Sequence, residues 1–188
     1  DELFRAGHYL LAISRIEKFL KNYPNDIPGR TLKAWTLLKL DRADEAKAVI
    51  DDILTKNPEH SDALVAAGVF HRKIGENDKA LEFYEKALAI NPNDPYALSS
   101  IVTVALLSCE IKKAVDYGER GVKGAADDGA INANLAIAYH FDGQFAQRDK
   151  YTALAKKYNY PRIKQLEGIY SGVLLILPDD CDPNAAQP

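Results

Sequence analysis

The 188-residue chain contains no methionine, only two cysteines and a single tryptophan, and none of its apolar runs approaches the roughly 20 residues that a membrane-spanning helix requires. Each shortage excludes something. Without a long apolar run, membrane insertion is not expected. The lack of methionine points to a fragment or a processed chain, and the first ten residues show neither the basic start nor the cleavage site of a signal peptide. A cytoplasmic location is therefore expected, with export left open because an address could have been lost upstream. Cys109 and Cys181 are too few for a disulfide framework and too far apart for a metal-binding pair. Both are expected as free thiols, with a long-range bridge between them as the alternative. Charge of one sign is also missing. The 24 basic and 27 acidic residues are mixed along the chain to a net -3, so no basic field awaits nucleic acid or an anionic lipid surface.

What is present is an interval. Pro24, Pro58 and Pro92 are 34 residues apart, and so are Ala12, Ala46, Ala80 and Ala114. A third class, Gly7, Asp41, Gly75, Cys109 and Gly143, follows the same step. Between these marks the apolar residues fall at the three-and-four spacing of amphipathic helices. Residues 61–94 are the most regular unit, with Leu64, Ala67, Gly68 and His71 on one predicted helix and Ala80, Tyr84, Ala87 and Leu88 on the next. The small residues Ala67, Gly68, Ala80 and Ala87 let the two axes approach to the short end of the roughly 8–10 Å range.

This pattern resembles the tetratricopeptide repeat (TPR) family, whose units carry Trp, Leu-Gly, Tyr, a turn Gly, Ala, an aromatic, Ala and Pro at fixed offsets. The resemblance implies an all-α fold: a right-handed superhelical solenoid of 34-residue helix-turn-helix repeats with a C-terminal capping helix. One solenoid over residues 1–177 is expected. It would comprise a partial repeat at 1–26, whose first helix is clipped by about eight residues, repeats at 27–60, 61–94, 95–128 and 129–162, and a cap at about 162–177. Residues 178–188 read as a disordered tail. Departures from the family pattern are local. Arg30 stands in the Trp slot, Leu37 and His71 in Tyr slots, and Arg148 in an Ala slot, while Gly118, Gly121 and Ala126 replace the aromatic, Ala and Pro of the fourth repeat. Each mid-helix glycine costs about 1 kcal/mol relative to Ala, so the helix around Gly118 is expected to be the weakest.

Repeats of this kind stack because none can bury its apolar face alone, and function moves to the surface of the stack. The family architecture implies that first helices line a concave side. Their second, fifth, ninth and twelfth positions form one stripe: Pro28, Thr31, Trp35, Leu38; Asp62, Val65, Val69, Arg72; Tyr96, Ser99, Thr103, Leu106; Ala130, Ala133, Ile137, His140. This mostly apolar stripe predicts a groove for an apolar peptide segment or one face of an amphipathic helix. Thr31, Trp35, Leu38, Val65, Val69, Ser99, Thr103, Leu106, Asn134 and Ile137 are the expected contacts, and Arg72 and His140 add orientation. Packing between repeats is the competing role for Trp35, Val69 and Ile137. The family's carboxylate-clamp variant is not expected, because Arg72, Asn134, Lys39 and Lys73 are too sparse.

The chain is therefore expected to be a protein-interaction scaffold or adaptor that binds another protein. Two alternatives stay open. One is a self-assembling structural protein, a homodimer for instance, that pairs through Val173, Leu174, Leu175, Ile176 and Leu177. The other is the recruiting or regulatory part of a larger enzyme or secretion complex. Catalysis, a metal and a cofactor are not expected: the four histidines share no ligand spacing, Asp179, Asp180 and Asp182 lack the rest of a calcium loop, and no nucleophile or phosphate-loop motif is present.

Overall fold

Four of the first helices start at a capping residue that recurs every 34 residues. Asp26, Asp94 and Asp128 turn a carboxylate back onto the first free backbone N–H groups, accepting from Gly29 at 2.7 Å, Ala97 at 2.8 Å and Ile131 at 3.1 Å. His60 occupies the same place with its imidazole Nδ1, which accepts from Ala63 at 3.2 Å. A side chain of this kind satisfies one of the four orphan donors of a helix start and contributes about 1 kcal/mol. Pro28 and Pro95 then fit the opening turn, where their missing N–H costs nothing.

This computed structural model describes residues 2–172 and 174, and the described residues form eleven helices, four of which begin at these caps. They are α1 (Glu2–Arg5), α2 (Tyr9–Asn22), α3 (Ile27–Lys39), α4 (Ala43–Lys56), α5 (Ser61–Lys73), α6 (Asn77–Ile90), α7 (Pro95–Leu107), α8 (Ile111–Gly124), α9 (Gly129–Phe141), α10 (Phe145–Lys157) and α11 (Ile163–Tyr170). The described residues contain no strand. The all-α architecture agrees with the expected fold class.

The third periodic class also has a physical basis. Gly7, Asp41, Gly75, Cys109 and Gly143 all sit at positive φ, between 58° and 82°. Each is the left-handed residue that ends a first helix. The next N–H bonds back across the turn, Arg42 to the Leu37 carbonyl at 3.0 Å and Glu76 to that of His71 at 2.9 Å, so orphan carbonyls are satisfied and the chain reverses.

The chain forms two compact units, Asp1–Asn91 and Pro92–Pro188. In the first, α3 pairs with α4 and α5 with α6, α5 lies on α3, and α4 on α5. Their core gathers Ile13, Ala34, Leu37, Leu38, Ala46, Ile50, Ala66, Ala67 and Phe70. In the second, α7 pairs with α8 and α9 with α10, and α9 also lies on α7 and α8. Its core joins Val102, Leu106, Ala133, Ile137 and Ala155 to Leu166 and Ile169 of α11.

Two expectations change here. The terminal helix does cover α9 and α10, but it ends at Tyr170 rather than near 177: Gly172 adopts φ +72° and the helix closes there. Cys109 is not a free thiol; its sulfur is disulfide-bonded. Cys181, Val173 and residues 175–177, which the self-association reading used, lie outside the described residues, as does the 178–188 tail. Lastly, Gly118 and Gly121 are buried, and a Cβ would meet Leu135 Cδ1 at 2.8 Å from the one and Ile131 Cδ1 at 2.6 Å from the other. The two glycines provide clearance that brings α8 against α9, a function that helix propensity does not express.

Candidate functional site

The predicted groove residues separate into those the core absorbs and those solvent reaches. In the first unit Leu38 is 1% exposed, Val65 2% and Thr31 5%. Thr31 also turns its hydroxyl inward, donating to the Ile27 carbonyl of its own helix at 2.9 Å. These three pack the structure and are corrected as contacts for a partner. Trp35, Val69 and Arg72 are half-buried and keep an accessible edge. Trp35 and Val69 hold the same repeat position on α3 and α5, and both lean on the first unit's core from outside. Arg72 is one turn further along α5, and among the described residues its Nε, closed off from solvent, has no hydrogen-bond partner.

In the second unit Leu106 (4%) and Ile137 (7%) are likewise core residues. Ser99, Thr103 and Asn134 are brought together. The Asn134 amide donates to the Ser99 hydroxyl at 2.8 Å and to the Ser99 carbonyl at 3.3 Å, with Thr103 Oγ1 at 3.5 Å. Thr103 in turn donates to the Ser99 carbonyl at 3.1 Å. The trio is a small polar seam joining α7 to α9. His140 does not stand out to orient a ligand; its ring packs among Phe141, Phe145 and Tyr170, 4.9 Å from the last.

The slots where the sequence departs from the family pattern are filled by compensating contacts. Arg30 forms an ion pair with Asp52 of α4, which also accepts from Lys56 at 3.0 Å. The ring of His71 stacks on Phe83 at 5.1 Å while Nδ1 lies 2.6 Å from Glu76. The guanidinium of Arg148 lies over Phe145 and over Tyr170 of α11, so the residue that breaks the repeat pattern ties the terminal helix to its neighbour. A hollow of about 380 Å³ between the α9 start and the α10–α11 connection, lined by Asn134, Asn159, Tyr160 and Arg162 among others, escaped the sequence reading. Asn159, one of its lining residues, is left-handed at φ +57°, which tightens the connection that forms it.

Among titratable groups Tyr139 stands out. Burial raises its pKa well above the ordinary tyrosine range, and the hydrogen bond it donates to the Glu119 carboxylate, with that group's charge, raises it further. A tyrosine held neutral in the folded state stabilises the fold in full below its unfolded pKa of about 10, and that contribution is lost as pH rises beyond it. Denaturant midpoints measured between pH 8 and 11.5 should therefore fall above about pH 10, and the fall should flatten in Tyr139→Phe. An equally steep decline in that variant would remove Tyr139 from the account.

No group of three or more His, Cys, Asp or Glu among the described residues could hold a metal ion, and no described helix is long and apolar enough to cross a membrane.

Comparison with known proteins agrees with this architecture. A family model described as the Psidin N-terminal TPR repeats region matches residues 2–109. The phagocyte signaling-impaired protein of Aedes aegypti is 32% identical over 101 residues, which is 54% of this chain and 11% of that protein. A homologue of N-terminal acetyltransferase B complex subunit NAA25 in Caenorhabditis elegans is 26% identical over 84 residues, 44% of this chain and 9% of that one. The chain thus spans about a tenth of the length of these curated relatives. Among solved structures, a thermophilic TPR protein of Thermus thermophilus superposes with a TM-score of 0.77 at 22% identity, covering 93% of this chain and 95% of its own, and so shares the fold.

Proposed function

Because the chain belongs to the Psidin N-terminal TPR-repeat family, we propose that it is a protein-interaction scaffold whose first unit docks an apolar segment or one face of an amphipathic helix. The observation that carries this reading is the pair Trp35 and Val69. Two large apolar side chains hold equivalent positions on the adjacent helices α3 and α5, rest on the core and still reach solvent, whereas Leu38 and Val65 of the same stripe do not. Apolar anchors at repeat spacing suit a partner that presents side chains along one face, and aromatic anchors commonly dominate such contacts.

The relative in C. elegans supports a more definite setting. It is a subunit homologue of an N-terminal acetyltransferase complex, which favours the reading of this chain as the recruiting part of a larger enzyme over that of a self-assembling structural protein. The chain's part would be to hold a partner, with acyl transfer carried out elsewhere in the assembly. Co-purification of acetyltransferase activity with the tagged full-length protein, measured as acetyl transfer from acetyl-CoA to N-terminal peptides, tests both levels. Wild type is expected to bring the activity down, and Trp35→Ser with Val69→Ser to lose at least tenfold of it while circular dichroism shows the variant still folded at the assay temperature. Full retention by the folded variant would overturn the docking surface. Absence of activity with wild type would overturn the enzyme-complex setting.

A further inference from the structure

The stripe that runs through Trp35 and Val69 holds a charge with no counter-charge among the described residues. Arg72 stands 34 residues after Leu38, at a repeat position that is 1% exposed when Leu occupies it. The arginine is half-buried there, and its Nε, shut away from solvent, has no hydrogen-bond partner among the described residues. Among the described residues Arg72 makes no ion pair, because the acids near the end of α5 are already engaged. Asp41 pairs with Lys73, and Glu76 takes both His71 at 2.6 Å and Lys79 at 2.9 Å. Asp62, the acid on the same stripe, stands ten residues upstream, about 15 Å along the axis and beyond reach. The favourable end of the α5 dipole serves the residue's outer charge but leaves the buried donor unmet.

A partly desolvated guanidinium with no counter-charge is costly, and the cost is relieved when a carboxylate meets it. Since Nε is closed off, a carboxylate would meet the terminal nitrogens, and Trp35, Val69 and Arg72 share one stripe by register. We infer that the segment docking on the first unit carries an aspartate or glutamate in register with its apolar anchors, and that this carboxylate pairs with Arg72. This rests on the docking surface proposed above, and it adds what the apolar anchors cannot supply: orientation, because the single charge sits at the C-terminal end of the stripe.

The test uses random 12-residue peptides displayed on phage and selected against the whole chain. Selected sequences are then synthesised with each acidic residue and with its amide in place, and titrated calorimetrically against wild type, Arg72→Gln, Arg72→Lys and Trp35→Ser. Trp35, the sole tryptophan, also reports occupancy of the first unit by fluorescence. Peptides that bind through Trp35 are expected to share one acidic position, and the amide form to bind wild type about tenfold to a hundredfold more weakly. That penalty should vanish on Arg72→Gln and partly persist on Arg72→Lys, which keeps the charge but not the fork. Circular dichroism of each variant separates loss of binding from loss of fold. Peptides that depend on Trp35 but show no acidic preference, and bind Arg72→Gln as well as wild type, would overturn the charge pairing and leave the docking surface standing. Selected peptides indifferent to Trp35→Ser would overturn both.

Discussion

Replacing Gly129 by alanine is expected to destabilise the second unit by about 3 kcal/mol. Gly129 is the first residue of α9, and a Cβ built on it would lie 2.7 Å from the carbonyl oxygen of Tyr158 and 3.0 Å from the amide nitrogen of Tyr160. Both are backbone atoms. A rotamer change cannot relieve that contact, so the α10–α11 connection must move, and α11 covers the core with Leu166 and Ile169. Urea unfolding followed by circular dichroism measures the loss. A midpoint within error of wild type would show that the connection yields freely.

The second large effect is expected at Gly68→Ala, again about 3 kcal/mol, for a different reason. Here the obstacle is the ring of Tyr84, whose atoms Cε1, Cδ1 and Cζ would lie 2.4 to 2.8 Å from the new methyl. Tyr84 is fully buried on α6, so its ring has nowhere to swing. Tyr84→Leu alone should also destabilise, through lost packing, by about 2 kcal/mol. The two losses should not add. In the double variant the methyl occupies space that the ring has vacated, and a double-mutant cycle should return at least 1 kcal/mol of favourable coupling. Additive losses would show that the methyl is accommodated by separating α5 from α6 rather than by displacing the ring.

Much of the fold could be read from the sequence because three residue classes report the interval through separate mechanisms: proline at the chain reversal, alanine at close helix approach, and the left-handed turn residue. Cys109 was legible as a turn residue for that reason, although its chemistry was not. The capping class was missed at 26, 60, 94 and 128, because the histidine at position 60 obscures a series of three aspartates that share one hydrogen-bonding task. The surface was harder to read. A stripe drawn at fixed repeat positions treats Leu38 and Arg72 as equivalent, yet one is sealed in the core and the other keeps a solvent edge. Which side of that line a residue falls on depends on the neighbouring helix, and periodicity carries no record of the neighbour. Asn134 illustrates the same limit: its amide is spent on Ser99, 35 positions earlier in the chain.

Gly118 and Gly121 have a bearing on assembly as well as on packing. A chain of look-alike hairpins risks docking one unit against the wrong successor, since every hairpin offers roughly the same apolar face. The α8 surface is notched where Leu135 and Ile131 of α9 enter it, and a helix with ordinary side chains at those positions would be held off. The joint is therefore keyed to its own neighbour. A repeat transplanted from elsewhere in the array, or slipped by one unit during folding, would find the lock cut for a different key.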